Sequence, residues 1–148
     1  MRLVIGSDHG GYELKESLKG ALAKAGYEFD DIGTFGKEAV DYPQVAGELA
    51  RAVADGRYDR GIILCGTGIG VSIVANKVRG IRAALCHDTF SARAAREHND
   101  ANVLAMGGRV VGPGLAADIA LIWLQTEFSG DERHARRISR MEPDCSTV

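Results

Sequence analysis

Arg60-Gly61-Ile62-Ile63-Leu64-Cys65-Gly66-Thr67-Gly68-Ile69-Gly70 is the stretch on which the reading of this chain turns. Its first part is a short apolar run followed by turn residues, the pattern of a strand buried on both faces. Gly70-Val71-Ser72-Ile73-Val74-Ala75-Asn76-Lys77 then has the composition of a short helix. Three glycines in five positions (66–70) let backbone N–H groups point into one concavity, beside the positive end of that helix. Such a nest suits a phosphate, or an oxyanion that develops during a reaction. Cys65, at its lip, is placed to act on whatever the nest holds, which marks the junction as a candidate active site.

Outward from this junction the chain alternates strand-like and helix-like segments. Leu3-Val4-Ile5 reads as a first strand, followed by the polar turn Ser7-Asp8-His9-Gly10-Gly11. Leu14, Leu18, Leu22 and Ala25 recur at helical spacing, and Gly26 closes that helix. Residues 27–32 make a second strand, 34–42 a loop, and Pro43 opens a helix running to about Asp55. The third strand carries Cys65. Residues 81–86 predict a fourth strand, 88–98 a helix, 103–106 a fifth strand, 113–127 a long amphipathic helix and 131–141 a shorter basic one. Five strands alternating with helices imply an α/β fold: one doubly wound, Rossmann-like domain over residues 1–141, with a five-stranded parallel sheet covered on both faces. The expected strand order is 2-1-3-4-5. Residues 142–148, with Cys145, read as a terminal tail.

Composition narrows the function classes. The 148 residues are enough for a real core, and 45% hydrophobic with 26% charged residues is ordinary for a globular protein. A formal net charge of −2 argues against nucleic acid as a partner, which needs a basic surface. No apolar run reaches the roughly 18 residues of a membrane span. Asp8 and His9 interrupt the early apolar run, so no signal peptide is expected and the cytoplasm is the default location. Three scattered cysteines make neither a disulfide framework nor a metal-binding pattern.

Ligands of open parallel sheets bind at the carboxyl ends of the strands, where the strand order switches. In the expected order strands 1 and 3 flank that point, so Asp8 and His9 should face Cys65 and its glycine turn. Singly, each residue has a plainer reading. A cysteine ending a strand is commonly a small buried hydrophobe, and a loop Asp-His pair is commonly turn chemistry and helix capping. Together they put a carboxylate, an imidazole, a thiol and a nest in one crevice.

Six motifs in order are similar to those of a known family. They are Gly6-Ser7-Asp8-His9-Gly10-Gly11, Asp41-Tyr42-Pro43, Cys65-Gly66-Thr67-Gly68-Ile69-Gly70, Ala75-Asn76-Lys77, Arg96-Glu97-His98-Asn99-Asp100-Ala101-Asn102 and Arg133-His134-Ala135-Arg136-Arg137. The chain resembles the type B ribose-5-phosphate isomerases and their relatives acting on galactose and allose 6-phosphates, from Arg2 to about Met141. The resemblance implies metal-independent, cofactor-free interconversion of ribose 5-phosphate and ribulose 5-phosphate through an enediolate. It assigns Cys65 as the base and His98 to opening the furanose ring, with Thr67 assisting. A helix N-terminus favours a thiolate, and imidazole suits proton shuttling. Backbone N–H groups over Gly66, Thr67, Gly68, Ile69 and Gly70 are expected to stabilise the enediolate oxygen. Asp8 and Asn99 are expected to hold sugar hydroxyls, with Tyr42 lining the pocket.

The phosphate needs cations. Arg133 and Arg137 are four apart, on one face of the last helix, and guanidinium forks match phosphate oxygens. The family pattern adds His9 and Arg109. Arg136 and Arg140 read as a solvated face, and Cys86 and His87 as structural, His87 near the pocket edge. Pocket depth, and with it the choice between a five-carbon and a six-carbon sugar, should depend on the loop at 34–40.

The helix ending at His98 runs antiparallel to the strands, so His98 and Asn99 should lie at the edge of the sheet opposite Cys65. That geometry, together with the shared sites of the family, implies a homodimer in which a neighbouring subunit supplies His98, Asn99 and the arginines. Two such dimers could form a tetramer. Two departures from the family pattern stand out. Some relatives place a glutamate base just beyond the glycine turn, where Val71 stands here, and the spacing between Phe128 and Arg133 is one residue longer. A dinucleotide site is a weaker reading, because Val71 also occupies the position of the third glycine in G-x-G-x-x-G. A non-catalytic sugar-phosphate-binding module is the alternative from another class.

Overall fold

The computed structural model describes residues 1–141, so the tail expected at 142–148 lies outside the described residues. The chain runs β1 (Leu3–Ser7), α1 (Tyr12–Lys24), β2 (Phe29–Asp31), α2 (Tyr42–Ala54), β3 (Arg60–Cys65) and α3 (Ile69–Ala75). It continues through β4 (Ala83–Leu85), α4 (Thr89–Asn99), β5 (Val103–Gly107), α5 (Pro113–Gln125) and α6 (Glu132–Met141). Local signals account for several boundaries. Gly26 takes φ +85°, its N–H donates to Ala23 O, and the Tyr27 N–H donates to Leu22 O, which together satisfy the last carbonyls of α1. Pro43 sits in the first turn of α2, where its missing N–H is no loss.

The five strands form one parallel sheet in the order β2-β1-β3-β5-β4. The expected α/β fold is present, but β4 and β5 exchange places relative to the expected 2-1-3-4-5. The reason is burial. Every residue of β5 is buried, whereas β4 has three residues, none of them buried, and ends on the exposed Leu85. A fully apolar strand gains most between two neighbours, and a short, partly wet one is tolerated at an edge.

Alternate residues of the strands feed two cores. Leu3, Ile5, Ile62, Leu64, Leu104 and Met106 pack with Leu18, Leu22, Ala92, Ile119 and Trp123 of α1, α4 and α5. Val4, Ile63, Cys65, Val103 and Ala105 pack with Leu49, Ala50, Val53, Val71 and Ala75 of α2 and α3. Buried Arg60 opens β3 because its Nη1 donates to the carbonyls of Trp123 and Leu124, at 3.2 and 2.7 Å, at the end of α5. Among the described residues no helix is long and apolar enough to cross a membrane.

Candidate active site

β1 and β3 are neighbours whose following helices, α1 and α3, lie on opposite faces, so the switch point falls between them. The turns after β1, β3 and β5 converge there. A Cβ on Gly10 would stand 3.0 Å from Gly66 N, and one on Gly108 would stand 2.8 Å from Gly10 O. Side chains at these positions would hold the three strand ends apart, so glycine is required for the crevice to form.

Cys65 is 5% exposed at the end of β3. The Gly68 N–H donates to its Sγ at 3.0 Å, a contact that strengthens as the sulfur gains negative charge. Gly68 turns that N–H back by adopting φ +77°, which an L side chain disfavours. The Ile69 N–H donates to Thr67 Oγ1 at 3.3 Å. The expectation that amides of residues 66–70 together face a ligand therefore needs correction: the Gly68 and Ile69 amides are engaged inside the turn.

Around Cys65 stand most of the expected residues. Asp8 is 7% exposed, and its Oδ1 accepts the Gly11 N–H at 3.0 Å. His9 is exposed, and its Nδ1 accepts the Val40 N–H at 3.3 Å. The Arg109 N–H donates to Gly66 O at 2.9 Å, and its Nε lies 3.4 Å from where a Gly66 Cβ would be. Tyr42, at the start of α2, lays its ring over Gly70, where a Cβ would approach within 2.8 Å. Asp8, His9, Tyr42, Cys65, Gly66, Thr67, Gly68, Ile69, Gly70 and Arg109 thus share one rim.

His98 and Asn99 do not. The Asn99 carbonyl accepts Arg82 Nε at 2.8 Å, and the Arg82 carbonyl accepts the Asn102 N–H at 3.1 Å, just before β5 begins. Gly107, at the other end of β5, pairs with Cys65. Four strand steps, roughly 13 Å, separate the two ends. His98 and Asn99 lie at the amino edge of the sheet, with Arg133 and Arg137 exposed on the adjoining α6.

The sequence reasoning missed His134. It is 5% exposed, and its ring stacks on His98 with centroids 4.5 Å apart and planes inclined by 16°. Burial, reinforced by the neighbouring His98, holds the His134 imidazole below its usual range and favours the neutral ring. In the sequence it is one more residue of a basic run, because the stack depends on α6 docking against α4. Cys86 behaves as the expected structural thiol: burial, with Asp88 nearby, pushes it up to about 11. Among the described residues no group of three or more His, Cys, Asp or Glu is placed to hold a metal ion. An open cavity of about 310 Å³ lined by Arg2, Phe29 and Tyr58 lies at the amino ends of β1 and β2, away from this crevice.

Known proteins share this architecture. The chain is 48% identical over 136 residues to the ribose-5-P isomerase B of Listeria innocua, covering 92% of each. It is 49% identical over 135 residues to the D-erythrulose-4-phosphate isomerase of Pectobacterium atrosepticum, covering 88% of this chain and 86% of that one. The structure of Clostridium thermocellum ribose-5-phosphate isomerase B superposes with a TM-score of 0.92 at 56% identity, covering 95% of each chain. The sequence profile of the ribose/galactose isomerase family matches residues 3–141. A strand-terminal cysteine in a glycine-walled crevice, on a fold that these sugar-phosphate isomerases share, leads to one conclusion: this chain belongs to the ribose/galactose isomerase family.

Proposed function

We propose that this protein interconverts D-ribose 5-phosphate and D-ribulose 5-phosphate. The observation that carries the reading is Cys65, a nearly buried thiol at the end of β3 with the Gly68 N–H directed onto its Sγ. In this reading the Cys65 thiolate removes the proton from C2 of the open aldose. The electron pair moves into the C1–C2 bond and the C1 carbonyl oxygen becomes the enediolate oxygen. The proton of the C2 hydroxyl passes to the C1 oxygen, so that C2 becomes the carbonyl carbon as the same sulfur returns its proton to C1, giving the ketose and leaving Cys65 a thiolate again. Remaining amides of the turn and the Thr67 hydroxyl stabilise the oxygen charge, and Asp8 and Tyr42 hold the sugar. His9 and Arg109 meet the phosphate on the same rim.

Ring opening needs an acid at the ring oxygen and a base at the C1 hydroxyl, the work assigned to His98. His98 and Asn99 lie at the far edge of the sheet from Cys65, so a single subunit offers two half-sites. A homodimer in which each crevice receives His98, Asn99, Arg133 and Arg137 from the second copy completes both. Every step uses groups of this chain and calls on no metal or cofactor.

A four-carbon substrate is the second reading, favoured by the 49% identity to a D-erythrulose-4-phosphate isomerase. The test is a comparison of kcat/KM, with EDTA present, for ribose 5-phosphate, erythrulose 4-phosphate, allose 6-phosphate and galactose 6-phosphate. The expected order has ribose 5-phosphate first. A higher value for the four-carbon sugar installs the second reading, and a higher value for a six-carbon sugar phosphate installs that class. Binding without turnover of any of them would mark a non-catalytic binding module.

A further inference from the structure

We propose that residues 33–40 form a fixed wall whose Val40 N–H sets the tautomer of His9, leaving its Nε2–H as a hydrogen-bond donor to the oxygens of the substrate's phosphate. The ligand assigned to His9 rests on the function proposed above; the tautomer does not. His9 Nδ1 accepts the Val40 N–H at 3.3 Å, across 31 residues of chain. A ring nitrogen that accepts a hydrogen bond carries no proton, so a neutral imidazole holds its proton on Nε2. The opposite tautomer would turn a lone pair toward anionic oxygens.

The wall is tied along its length. The Ser7 N–H donates to Gly33 O and the Thr34 N–H donates to Ser7 O, both at 2.5 Å, joining the loop to the strand that leads into Asp8 and His9. The Gly33 N–H donates to Asp31 Oδ1 at 3.1 Å. Both oxygens of that carboxylate accept from the buried Lys15 Nζ at 2.6 Å, and the same ammonium lies 5.0 Å from the centroid of the Phe35 ring. Lys37 pairs with Glu13 on the first turn of α1. Beyond Val40, Asp41 is the N-cap of α2. Both ends of the loop are therefore anchored to elements that also carry the crevice, which brings the Val40 amide to one place relative to His9. Arg109 supplies formal charge on this rim, and His9 supplies a directed N–H donor.

Long-range ¹H–¹⁵N spectra of the histidine rings read the tautomer directly, in the wild type, in Val40→Pro, which lacks the N–H, and in Val40→Ala, which keeps it. Titration with inorganic phosphate and steady-state kinetics with ribose 5-phosphate accompany them. The wild type and Val40→Ala are expected to carry the proton on Nε2. Val40→Pro is expected to show a tautomer mixture, with phosphate affinity about 5–10-fold weaker, KM raised in proportion and kcat within about twofold. A proton on Nδ1 in the wild type would overturn the proposal, as would a Val40→Pro protein with unchanged tautomer and phosphate affinity. If Val40→Pro does not fold, His9→Gln and His9→Asn decide the matter. The Gln amide reaches the Nε2 position as a donor and should retain more phosphate binding than Asn; the reverse order sinks the idea. An Nε2–H ring that responds to phosphate in a protein without turnover would keep this inference and remove the proposed reaction.

Discussion

Cys65→Ala is expected to lower kcat for ribose 5-phosphate by about 10²–10⁴-fold, with KM within about threefold, because in the proposed mechanism the base acts only once the sugar is bound. The crevice survives the change: the backbone of residues 65–68 is held by the β3–β5 ladder and by the Gly108 N–H on Cys65 O at 2.8 Å. His98→Ala is expected to lose turnover as well, for a different reason, since under the proposed mechanism it removes ring opening and leaves enolisation intact. A sugar that cannot close into a furanose should therefore separate the two variants, suffering less from His98→Ala than from Cys65→Ala.

Mixing the two inactive variants tests the assembly. If each crevice combines Cys65 of one copy with His98 of another, a hybrid dimer contains one site with both groups intact and one with neither. Random reassociation makes half the dimers hybrid, so activity should return to about a quarter of the wild-type value. Recovery from two inactive proteins is a large signal. Its absence, with subunit exchange shown independently, would place both residues of each site in one chain and refute the shared-site geometry.

Asp31→Ala is expected to lower the stability of the fold by about 3–5 kcal/mol, read from urea unfolding. Lys15 is wholly buried, with both Asp31 oxygens 2.6 Å from its Nζ, and Lys19 Nζ reaches Asp31 Oδ2 at 2.7 Å. Removing the carboxylate strands an ammonium out of water, with Glu16 at 3.4 Å as its remaining anion. The effect has a pH signature. Burial pushes the Asp31 carboxyl up, but hydrogen bonds from Lys15, Lys19 and Gly33 outweigh it and hold the group below its ordinary value. A depressed folded-state pKa means that the stabilisation is complete above the unfolded value of about 4 and is lost as pH falls through the folded one. The stability gap between wild type and Asp31→Asn should accordingly be constant at neutral pH and shrink below about pH 4. A gap that widened in acid would contradict this account of the network.

The local part of the architecture was legible because local chemistry determines it. An apolar run ending in Cys65 and three alternating glycines read as a buried strand entering a tight turn, and the structure places β3 and the turn there, with α3 starting one residue and ending two residues earlier than the sequence reading. Gly26 and Pro43 mark helix ends by their own backbone limits. Asp8 and Cys65 were expected to meet because any parallel sheet brings the ends of neighbouring strands together.

What depends on two distant segments was not legible. β4 and β5 are both short and apolar, and their order follows from the comparative burial that the whole sheet imposes. Lys15 falls beside Leu14 on α1, and nothing in the helical spacing shows that Asp31 will cross to neutralise it. The amide on His9 comes from the far side of a loop, and the ring on His98 comes from another helix. By itself, then, the sequence determined the alternating α/β order, the glycine-walled turn and the thiol at its lip, because these rest on side-chain periodicity and backbone sterics over a few residues. The tertiary structure alone decided which strands became neighbours, which charge was buried against which, and which nitrogen of His9 meets the Val40 amide. Those outcomes arise from contacts between segments far apart in the chain, whose energies exist only once packing has excluded water and brought the partners together.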